Sequence, residues 1–407
     1  MNKPSVLQIT PDVYWTGVLD PDLVTFDVVM ETRYGTTYNA YLIKSAKTAL
    51  IETVKAPFWD EYREKLKQLT DPAAISYIIM NHTEPDHSGS LPELLRIAPE
   101  ATVVGSGNAI RYLSDQMGAD FRHLIVKDGD TLDLGGRTLR FIGAPNLHWP
   151  DTMYTYLEED KLLFSCDSFG CHYSHPAMFD DQVGEFDDAF LYYYNVILKP
   201  YSKFMLKAIQ KIRPLELTAV CPGHGPILRK NWRKYVDWSE ALAADAVKYP
   251  LPNRVMIAYV SAYRNTALMA SRIAGGIQAV SPELEVDLCD LEGMSPEAVE
   301  QHVTEASGII AGSPIINQNI LLQLYQLFAI MNPIRDRGKL AAAFGSYGWS
   351  ADFMKMLESN LLNLRLKIIG EGVYTRFTPH AEDLDRCFAL GKKFGEEIIA
   401  ANTKCSD

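Results

Sequence analysis

The sequence lacks the features that mark several common classes of protein. Its six cysteines include no C-x-x-C pair, so it carries neither a rubredoxin-type iron site nor a thioredoxin-type redox motif. No segment approaches the roughly 20 consecutive apolar residues that span a bilayer, and the single Lys of residues 1–6 is not followed by the apolar run of a signal peptide. Lys and Arg number 39 against 51 Asp and Glu, and the formal charge of -12 leaves little basic surface for nucleic acid. We therefore expect a cytoplasmic protein that binds neither membranes nor nucleic acid.

What the sequence does contain is typical of a globular protein with two domains. Hydrophobic residues make up 47% and charged residues 22% of a 407-residue chain, which is too long for one ordinary core. Residues 231–248 predict a long helix with an apolar stripe, and the Pro-containing stretch 249–253 ends it. We place the domain boundary there, so that residues 1–250 form one domain and residues 251–407 form another. The cysteines are expected to be reduced and mostly buried; they are Cys166, Cys171, Cys221, Cys289, Cys387 and Cys405.

The stretch NHTEPDHSGS at residues 81–90 concentrates groups that bind metals. It places two imidazoles and two carboxylates within six residues. Residues 75–80 just before it read as a buried strand, so these groups lie at the carboxyl end of a strand, where α/β proteins place their ligands. This context favours a metal site over a polar loop in which the imidazoles only form hydrogen bonds. The four candidate ligands are His82, Glu84, Asp86 and His87.

The conformation of this stretch is predicted from its alternation and its flanks. His82, Glu84 and Asp86 alternate, so an extended backbone would point them the same way and turn His87 to another side. A glutamate follows Ser90 three residues later, which predicts a helix that starts with a capping box. The cluster is therefore expected on a turn between a strand and a helix.

Three further candidates stand in the same context as this cluster. Each follows an apolar strand at its carboxyl end, as convergence on one side of a sheet requires. A lone residue of this kind is usually exposed or hydrogen-bonded, but three repeats of one context strengthen the case for a shared site. They are His148 after residues 139–145, Asp167 after residues 162–166 and His224 after residues 219–223.

The order of these residues resembles the metallo-β-lactamase fold, in which two sheets pack between helices and metals sit at one edge. The pattern is H-x-E-x-D-H, then His, then Asp, then Gly-His-Gly. Hydrolases of this fold usually have His where this chain has Glu84, and the resulting set of nitrogen and oxygen donors without thiolate suits iron in a redox role. In this respect the chain resembles the flavodiiron proteins, or A-type flavoproteins. The resemblance implies one iron held by His82, Glu84 and His148, a second held by Asp86, His87 and His224, and Asp167 as the bridge between them.

Two more histidines follow the bridging Asp167 closely. His172 resembles a histidine that the family keeps near its metals, and we expect it to form hydrogen bonds around the site rather than to bind metal. His175 fits such a role or a surface position equally well. The other three histidines have no further candidate metal ligands near them in the sequence, and we interpret them as ordinary surface or core residues. They are His123, His302 and His380.

From Arg254 onward the sequence alternates strand and helix five times. The strands are almost entirely apolar, which predicts a parallel sheet covered by helices on both faces. This pattern indicates a flavodoxin-like domain with a doubly wound, five-stranded parallel sheet. The fold class predicted for the chain is thus α/β, with an N-terminal metallo-β-lactamase-like αββα sandwich followed by this domain. The predicted strands are residues 255–260, 284–288, 308–312, 340–344 and 366–370.

Three loops at the carboxyl ends of these strands predict a flavin mononucleotide, FMN. The first joins a strand to a helix, and its hydroxyls and backbone N–H groups suit a phosphate at the helix N-terminus. The other two resemble the loops that enclose an isoalloxazine ring, with Trp349 either stacking on the ring or packing internally. The first loop has no basic cluster, which favours FMN over a dinucleotide. The candidate residues are Ser261, Ala262, Tyr263, Arg264, Asn265 and Thr266 for the phosphate, and Ser313, Pro314, Ile315, Asn317, Ser346, Tyr347, Gly348 and Trp349 for the ring.

The resemblance to flavodiiron proteins covers essentially the whole chain and implies an activity. FMN would accept electrons from a separate rubredoxin-like protein, flavin reductase or reduced coenzyme, because no donor segment is appended. The two irons would then reduce dioxygen to water, nitric oxide to nitrous oxide, or both. A head-to-tail homodimer, or a dimer of such dimers, would place the FMN of one chain against the irons of its partner.

Two other classes remain open at the level of sequence. A dizinc hydrolase fused to a flavodoxin-like electron-transfer module would have the same fold, although Glu84 argues against it. A non-enzymatic electron carrier would use only the flavodoxin-like half and would leave seven converging residues unexplained. Metal analysis separates the first class from an iron protein, provided that zinc has not displaced iron, since zinc binds such donors more tightly than Fe(II).

Overall fold

The computed structural model describes residues 5–28, 30–351 and 355–404 of the chain. Contacts within the chain divide it into two compact units, residues 1–246 and residues 247–407. Across the described residues, no helix combines the length and the apolar character that crossing a membrane requires. Each unit has its own sheets and its own core.

The first unit is built on two sheets. A seven-stranded sheet has the order β1-β2-β7-β8-β9-β10-β11, and a five-stranded sheet has the order β12-β13-β14-β15-β16. Two ribbons, β3 with β6 and β4 with β5, stand apart from them. The strands are β1 (Leu7–Thr10), β2 (Val13–Trp15), β3 (Val18–Asp20), β4 (Thr25–Phe26), β5 (Met30–Glu31), β6 (Thr36–Tyr38), β7 (Tyr41–Ile43), β8 (Thr48–Ile51), β9 (Ile75–Met80), β10 (Thr102–Gly105), β11 (His123–Ile125), β12 (Thr131–Asp133), β13 (Thr138–Gly143), β14 (Met153–Leu157), β15 (Leu162–Cys166) and β16 (Ala219–Pro222).

Helices surround these two sheets. Short 3-10 turns and one π-helical turn, Tyr194–Leu198, connect some of them. The α-helices are α1 (Trp59–Leu69), α2 (Pro85–Ser88), α3 (Leu91–Ile97), α4 (Gly107–Met117), α5 (Asp187–Tyr193), α6 (Ser202–Ile212) and α7 (Trp232–Ala246).

Successive side chains of a strand point to opposite faces of its sheet, and the buried residues on each face show how the layers of this unit are stacked. Tyr41 of the first sheet and Phe141 and Phe164 of the second share one buried cluster, so the two sheets face each other. Leu163, next to Phe164, points the other way into a second cluster that includes residues of the surrounding helices. Each fully buried side chain of this size contributes about 1.5–3 kcal/mol. The predicted αββα sandwich is confirmed.

Residues 23–28, a largely apolar run that suits a single strand, do not form one. The segment instead makes the ribbon β4–β5, in which Asp27 and Val28 adopt left-handed backbone conformations with φ of 48° and 65°. Only residues 25–26 of this run are in a strand, and the chain then returns along β5. The residue types alone do not signal this turn.

The run of residues 38–43, which suits a single strand, is interrupted at Asn39. The Asn39 backbone N–H donates to the carbonyl oxygen of Gly223 at 2.9 Å, and its side-chain amide donates to the carbonyl oxygens of Pro222 and Gly225, each at 2.9 Å. These contacts tie the chain to the end of β16, and the two halves of the run join different sheets as β6 and β7. A tertiary hydrogen bond overrides a local strand preference here.

The predicted capping box at Ser90 is wrong. Helix α3 does start at Leu91, but the Ser90 hydroxyl makes no capping bond and is buried without a hydrogen-bond partner among the described residues. The Ser90 backbone N–H donates to Val54, and Glu93 pairs with Arg96 instead. The conformation of Ser90, with φ of -92° and ψ of -2°, is not the extended one that a capping side chain needs.

The second unit is a parallel sheet with helices on both faces, which confirms the flavodoxin-like prediction. Its order is β18-β17-β19-β20-β21, with β22 also pairing with β20. All these pairings are parallel. The elements are β17 (Leu251–Tyr259), α8 (Asn265–Gln278), β18 (Glu285–Asp290), α9 (Pro296–Glu305), β19 (Ala306–Pro314), α10 (Leu322–Ile330), β20 (Leu340–Tyr347), α11 (Lys355–Asn363), β21 (Lys367–Ile368), β22 (Val373–Arg376) and α12 (Ala381–Lys404).

Alternate residues of β17 point into two different cores, one on each face of the sheet. Met256 and Ala258 pack with α9, α10 and α11, whereas Val255 and Ile257 pack with α8 and α12. The last predicted strand, residues 366–370, is shorter than expected. Only residues 367–368 of it form a strand, β21, and the separate strand β22 follows at residues 373–376. The two strands pair with successive parts of β20.

The described cysteines agree with the expectation of reduced thiols. All five are free and buried. Burial raises the pKa of each thiol, which lowers its reactivity at neutral pH. Cys405 lies outside the described residues.

Candidate metal centre and flavin site

Both sheets of the first unit direct strand ends toward one region. The first sheet contributes the segment after β9, and the second contributes the segments after β13, β15 and β16. The sheets are joined beside this region, because the Met153 backbone N–H donates to the carbonyl oxygen of Asn81 at 2.9 Å. Thr155 also donates its hydroxyl to the Asn81 side-chain oxygen at 2.6 Å. The turn that carries the first histidine is thus fixed to the opposite sheet.

The cluster after β9 is not extended along its whole length. Pro85 begins the single turn of α2, which carries Asp86 and His87, and the Ser88 hydroxyl donates back to the carbonyl oxygen of Thr83 at 3.0 Å. The alternation expected for an extended backbone therefore fails after Glu84. As a result, the cluster supplies side chains to two neighbouring groups instead of one.

The first group consists of His82, Glu84, His148 and Asp167. One donor atom from each lies within 4.8 Å of the others. The Glu84 Oε2 atom lies 3.1 Å from Nε2 of His82 and 3.1 Å from Nε2 of His148. Only His148 in this group is appreciably exposed, at 20% of its side chain, so the group has one side open toward solvent.

The second group consists of Asp86, His87 and His224, and it is buried. Its donor atoms also lie within 4.8 Å of one another. Asp86 Oδ2 is 3.1 Å from Nε2 of His224 and 3.5 Å from Nε2 of His87.

Asp167 lies between the two groups and presents one oxygen to each. Its Oδ2 atom is 3.6 Å from Nε2 of His82 and 3.4 Å from Nε2 of His148. Its Oδ1 atom is 3.1 Å from Nε2 of His87 and 3.5 Å from Nε2 of His224. A carboxylate in this position can contribute a ligand to each of two adjacent metal ions.

The chemistry of these side chains fits a pair of metal ions. Both oxygens of Asp86 and Oδ1 of Asp167 are buried without hydrogen-bond partners in the described chain. Burial opposes ionisation of Asp167, yet His87 and His148 hold the pKa of its carboxyl well below its usual range. Burial likewise opposes ionisation of Asp86 and Glu84, and neighbouring imidazoles again lower both pKa values. Buried anionic oxygens that lack donors are matched to cations, and a nitrogen and oxygen set without thiolate suits iron.

Sequence reasoning missed the groups that orient these imidazoles. Asp151 Oδ2 lies 3.3 Å from Nδ1 of His82 and accepts the backbone N–H and the hydroxyl of Thr83, each at 2.8 Å. The carbonyl oxygen of Thr37 accepts from Nδ1 of His224 at 2.6 Å. In both histidines an Nδ1 partner leaves Nε2 turned to the metal groups. Asp151 follows His148 by three residues, but nothing in the sequence reveals that it faces His82.

His172 lies beside the second group without belonging to it. Its Nδ1 atom is 2.9 Å from the hydroxyl oxygen of Thr36, and its ring stacks on Phe26 with centroids 4.4 Å apart. It meets His224 edge-on at 5.3 Å. Burial lowers the pKa of His172 to about 3, so the ring is neutral at physiological pH.

The other histidines lie outside both groups. His175 is partly buried and accepts the backbone N–H of Ala177 at 3.1 Å, which is a local turn contact. His302 faces Asp287 at 3.2 Å. His123 and His380 are exposed.

The predicted phosphate loop lies between β17 and α8. Arg264 adopts a left-handed conformation, with φ of 63°, just before the helix, so the turn is made without a glycine. The Ser261 hydroxyl accepts the backbone N–H of Ala267 at 3.1 Å. Thr266 is buried with its hydroxyl oxygen 3.3 Å from that of Ser346. The loop therefore presents a helix N-terminus in the part of the sheet where β20 ends.

The two predicted ring loops line one small cavity. Its walls include two residues that were not among the predicted contacts, Gln318 and Ser350. Trp349 is 77% exposed, which disfavours an internal packing role and leaves its ring face available. Ser313 is buried, donates its hydroxyl to the carbonyl oxygen of Pro314 and accepts the N–H of Leu321, so its side chain serves the loop itself. The lining residues are Ile315, Asn317, Gln318, Gly348, Trp349 and Ser350.

Comparison with known proteins agrees with both halves of this description. The family described as ODP family beta lactamase matches residues 36–225, and the flavodoxin family matches residues 257–391. Flavo-diiron protein FprA2 of Clostridium acetobutylicum is 37% identical over 403 residues, which cover 96% of this chain and 99% of that protein. A protein named nitric oxide reductase from Moorella thermoacetica is 36% identical over 410 residues, covering 98% and 100%.

A solved structure shows the same arrangement of elements. Rubredoxin oxygen:oxidoreductase from Desulfovibrio gigas aligns with a TM-score of 0.67 at 27% identity, covering 97% of this chain and 99% of that one. The flavodiiron protein of Giardia intestinalis aligns with a TM-score of 0.64 at 27% identity, covering 99% of each chain. Sequence identity and coverage together place the chain in one family: it belongs to the flavodiiron proteins.

Proposed function

We propose that this chain is a flavodiiron oxidoreductase that passes electrons from a separate donor through FMN to a diiron centre, which reduces dioxygen to water, nitric oxide to nitrous oxide, or both. The observation that carries the proposal is the position of Asp167, whose two carboxylate oxygens face two separate groups of imidazoles and carboxylates. When bound, FMN and the paired irons supply the electrons for the gas. The residues of the chain hold these groups and shape their surroundings.

The side chains of the two groups have distinct parts in this proposal. His82, Glu84 and His148 hold one iron, Asp86, His87 and His224 hold the other, and Asp167 bridges them. Asp151 and the Thr37 carbonyl keep the protons of His82 and His224 on Nδ1, so that Nε2 is free to bind metal. His172 is neutral and packs against the second group, where it excludes bulk water without adding charge.

The second unit has the parts that an FMN needs. The phosphate is proposed to lie at the loop 261–266, at the N-terminus of α8, where Arg264 provides no side-chain cap. The ring is proposed to lie between the loops that carry Asn317 and Trp349, whose residues line one small cavity. The division of the chain into a diiron domain and an FMN domain near residue 250 is part of the same proposal.

The electron donor is proposed to be a separate protein or a reduced coenzyme. A rubredoxin-like protein is supported by the name of the Desulfovibrio gigas relative, and this chain has no C-x-x-C pair that could serve the same purpose. A flavin reductase is the other protein candidate. A cytoplasmic location fits an acidic protein with reduced thiols.

A head-to-tail homodimer, or a dimer of such dimers, is proposed as the working assembly. Large apolar side chains near the flavin loops are exposed in the chain, which is unusual unless a partner covers them. Tyr263 is 85% exposed, Trp349 77% and Phe377 57%. In the proposed assembly, these side chains pack against the metal-binding unit of the partner.

Anaerobic turnover with each gas tests the proposal. Protein loaded with iron and FMN is supplied with a reductant, and the consumption of dioxygen or nitric oxide is followed together with flavin absorbance. We expect gas reduction by the iron protein and at least about a 100-fold lower rate with zinc in its place, because zinc has no redox chemistry. Equal gas reduction by the zinc protein, or hydrolysis of a β-lactam or thioester in its place, would contradict the proposal.

A further inference from the structure

Glu52 is a buried carboxylate that the proposed diiron centre does not yet use. It follows β8 directly, is 2% exposed and has a left-handed backbone conformation with φ of 62°, which is uncommon for a residue other than glycine. Such conformations persist where the surrounding structure fixes them, and they cluster at functional sites.

The surrounding hydrogen bonds hold Glu52 in one orientation. Its backbone N–H donates to the carbonyl oxygen of Ile79 at 2.9 Å, and its carbonyl oxygen accepts the Tyr62 hydroxyl at 3.3 Å. Its Oε1 atom accepts the backbone N–H of Asn81 at 2.8 Å. Three contacts therefore fix the residue at the base of the turn that carries the metal-binding cluster.

The remaining oxygen of Glu52 faces His87. Oε2 is buried without a hydrogen-bond partner in the described chain, and it lies 4.0 Å from Nδ1 of His87. This is the one ion pair that Glu52 makes within the described residues. At this separation the two atoms are not hydrogen-bonded, and a hydrogen bond requires them to approach each other by roughly 1 Å.

The backbone of His87 is anchored to the same segment. Thr53, the residue after Glu52, donates both its backbone N–H and its hydroxyl to the carbonyl oxygen of His87. The Nε2 atom of the His87 ring points the opposite way, 3.1 Å from Oδ1 of Asp167. The ring is thus placed between the carboxyl oxygen Oε2 of Glu52 on its Nδ1 side and the second metal group on its Nε2 side.

We propose that Glu52 is a positioning residue for the second iron, which accepts the Nδ1–H of His87 and so keeps Nε2 directed to the metal. Asp151 has the equivalent position at His82, and the Thr37 carbonyl has it at His224. Each of these three imidazoles then has a fixed tautomer. The inference rests on the proposed function, because it requires His87 to be an iron ligand.

Cobalt binding to the full-length protein tests the inference without any measurement of activity. Metal is removed with a chelator, and Co(II) is titrated while its visible absorption and its stoichiometry are recorded. We expect the unsubstituted protein to bind two Co(II) per chain. In Glu52→Gln, the amide presents a donor in place of an acceptor, and we expect one Co(II) to bind on the order of 10–100-fold more weakly, with altered absorption bands for that ion.

A matched control distinguishes this effect from the loss of any buried carboxylate. Asp180 is also buried, and its carboxylate accepts backbone N–H groups of Arg229, Lys230 and Asn231 rather than facing a metal ligand. Asp180→Asn should bind both Co(II) ions with unchanged affinity. Circular dichroism and thermal unfolding establish that each variant is folded.

A double-mutant cycle decides whether Glu52 acts through His87. In a His87→Ala background, Glu52→Gln should produce no further change in Co(II) affinity. An equal loss in both backgrounds would show a general structural effect and overturn the inference, as would two unweakened Co(II) ions in Glu52→Gln. Failure of the unsubstituted protein to bind two ions would overturn the proposed diiron centre itself, so the two failures are distinguishable.

Discussion

At the scale of single residues, Asp167 connects the two halves of the metal centre. It follows β15 immediately, is 1% exposed, and directs Oδ2 to His148 and Oδ1 to His87. No other carboxylate of the two groups is shared in this way among the described residues. Its loss therefore removes one ligand from each proposed iron and leaves four imidazoles with fewer anionic neighbours.

We expect Asp167→Ala to lose affinity for both irons by at least about 100-fold, more than replacement of a residue that only orients a ligand. Iron and FMN are measured in anaerobically purified protein, and FMN content should be unchanged. Asp128→Ala is the control, since Asp128 pairs with Lys211 on the surface of the same unit. Full iron in Asp167→Ala would refute the bridging role.

Protonation of the imidazoles sets the pH dependence of metal loading. Burial lowers the pKa of His87, but Asp86 and Asp167 outweigh it and raise the pKa to about 10. Burial likewise opposes charge on His148, yet hydrogen bonds with Asp167 and Glu84 raise its pKa to about 9. Below these pKa values each ring carries an extra proton, which a metal ion must displace.

We expect Co(II) affinity to rise steeply between pH 6 and pH 8, by about 10-fold per pH unit for each proton displaced, and to level off as the pH passes 9–10. Titration of chelator-treated protein at several pH values, with proton release recorded in weak buffer, measures this slope. Affinity independent of pH over that interval would show that the rings are already neutral.

At the scale of structural elements, the turns after the strands require close approach of the backbone. Gly223 directly follows β16, and a Cβ atom there would lie 2.7 Å from Cε1 of His87 and 3.2 Å from Oδ1 of Asp167. Neither neighbour can retreat without leaving its place in the metal groups. Glycine at this position is thus a steric requirement of the site.

We expect Gly223→Ala to weaken metal binding by on the order of 10-fold and to destabilise the fold by about 1–3 kcal/mol through overpacking. Co(II) titration and thermal unfolding measure the two effects. Gly107→Ala is the matched control, because its added Cβ meets only the Ile125 side chain, at 3.9 Å. Unchanged metal affinity in Gly223→Ala would mean that the turn is more adaptable than this packing indicates.

The N-terminus of α8 gives a prediction for the flavin. Asn265→Asp keeps the side-chain shape but adds a negative charge where the FMN phosphate is proposed to lie. We expect FMN affinity to fall about 10-fold. The stability of the flavin-free protein should change little, since the favourable charge at a helix N-terminus offsets the lost amide hydrogen bond to the Phe377 carbonyl oxygen. Fluorescence titration with FMN measures the first effect and thermal unfolding the second. Gln301→Glu on α9 should leave FMN affinity unchanged, although it places a carboxylate beside that of Glu305. Equal FMN affinity in Asn265→Asp would place the phosphate elsewhere.

The strands and turns also show which parts of the site could be predicted from local sequence. The proposed metal ligands could be selected because each follows an apolar strand, a context visible in residues 75–80 and 162–166 alone. Glu52 also follows an apolar strand, β8, but neither Glu52 nor the Thr37 carbonyl could be assigned to an imidazole, since that proximity depends on how distant strands pair and pack. The failed capping box at Ser90 has the same origin: its N–H is engaged by a distant carbonyl.

At the scale of the whole molecule, the division into two units could be predicted from the sequence pattern, because a change from mixed strands to regular strand–helix alternation marks a change of fold. The interruption at Asn39 and the turn at Asp27 could not be predicted in this way. Both depend on contacts between segments distant in sequence or on backbone conformations that these residue types rarely adopt.

The assembly can be tested by complementation between inactive chains. One variant lacks metal through His82→Ala and His148→Ala, and another lacks FMN through substitutions in the loop Ser261–Thr266. Each alone should be inactive with a protein donor, and activity should return when the two are unfolded and refolded together, because a head-to-tail dimer pairs a functional flavin with functional irons. Mixed dimers that form but stay inactive would mean that electrons pass within one chain.

The most direct test of electron flow from FMN to the irons and on to the gas is a single-turnover experiment. Protein that contains iron and FMN is fully reduced without oxygen and mixed in a stopped-flow instrument with dioxygen, while flavin absorbance and peroxide are measured. We expect rapid flavin oxidation without accumulation of peroxide, and at least about a 100-fold slower oxidation, accompanied by peroxide, in protein that retains FMN but has lost iron. Equally fast flavin oxidation in the two proteins, with stoichiometric peroxide from both, would place the chemistry at the flavin and contradict a diiron site of gas reduction.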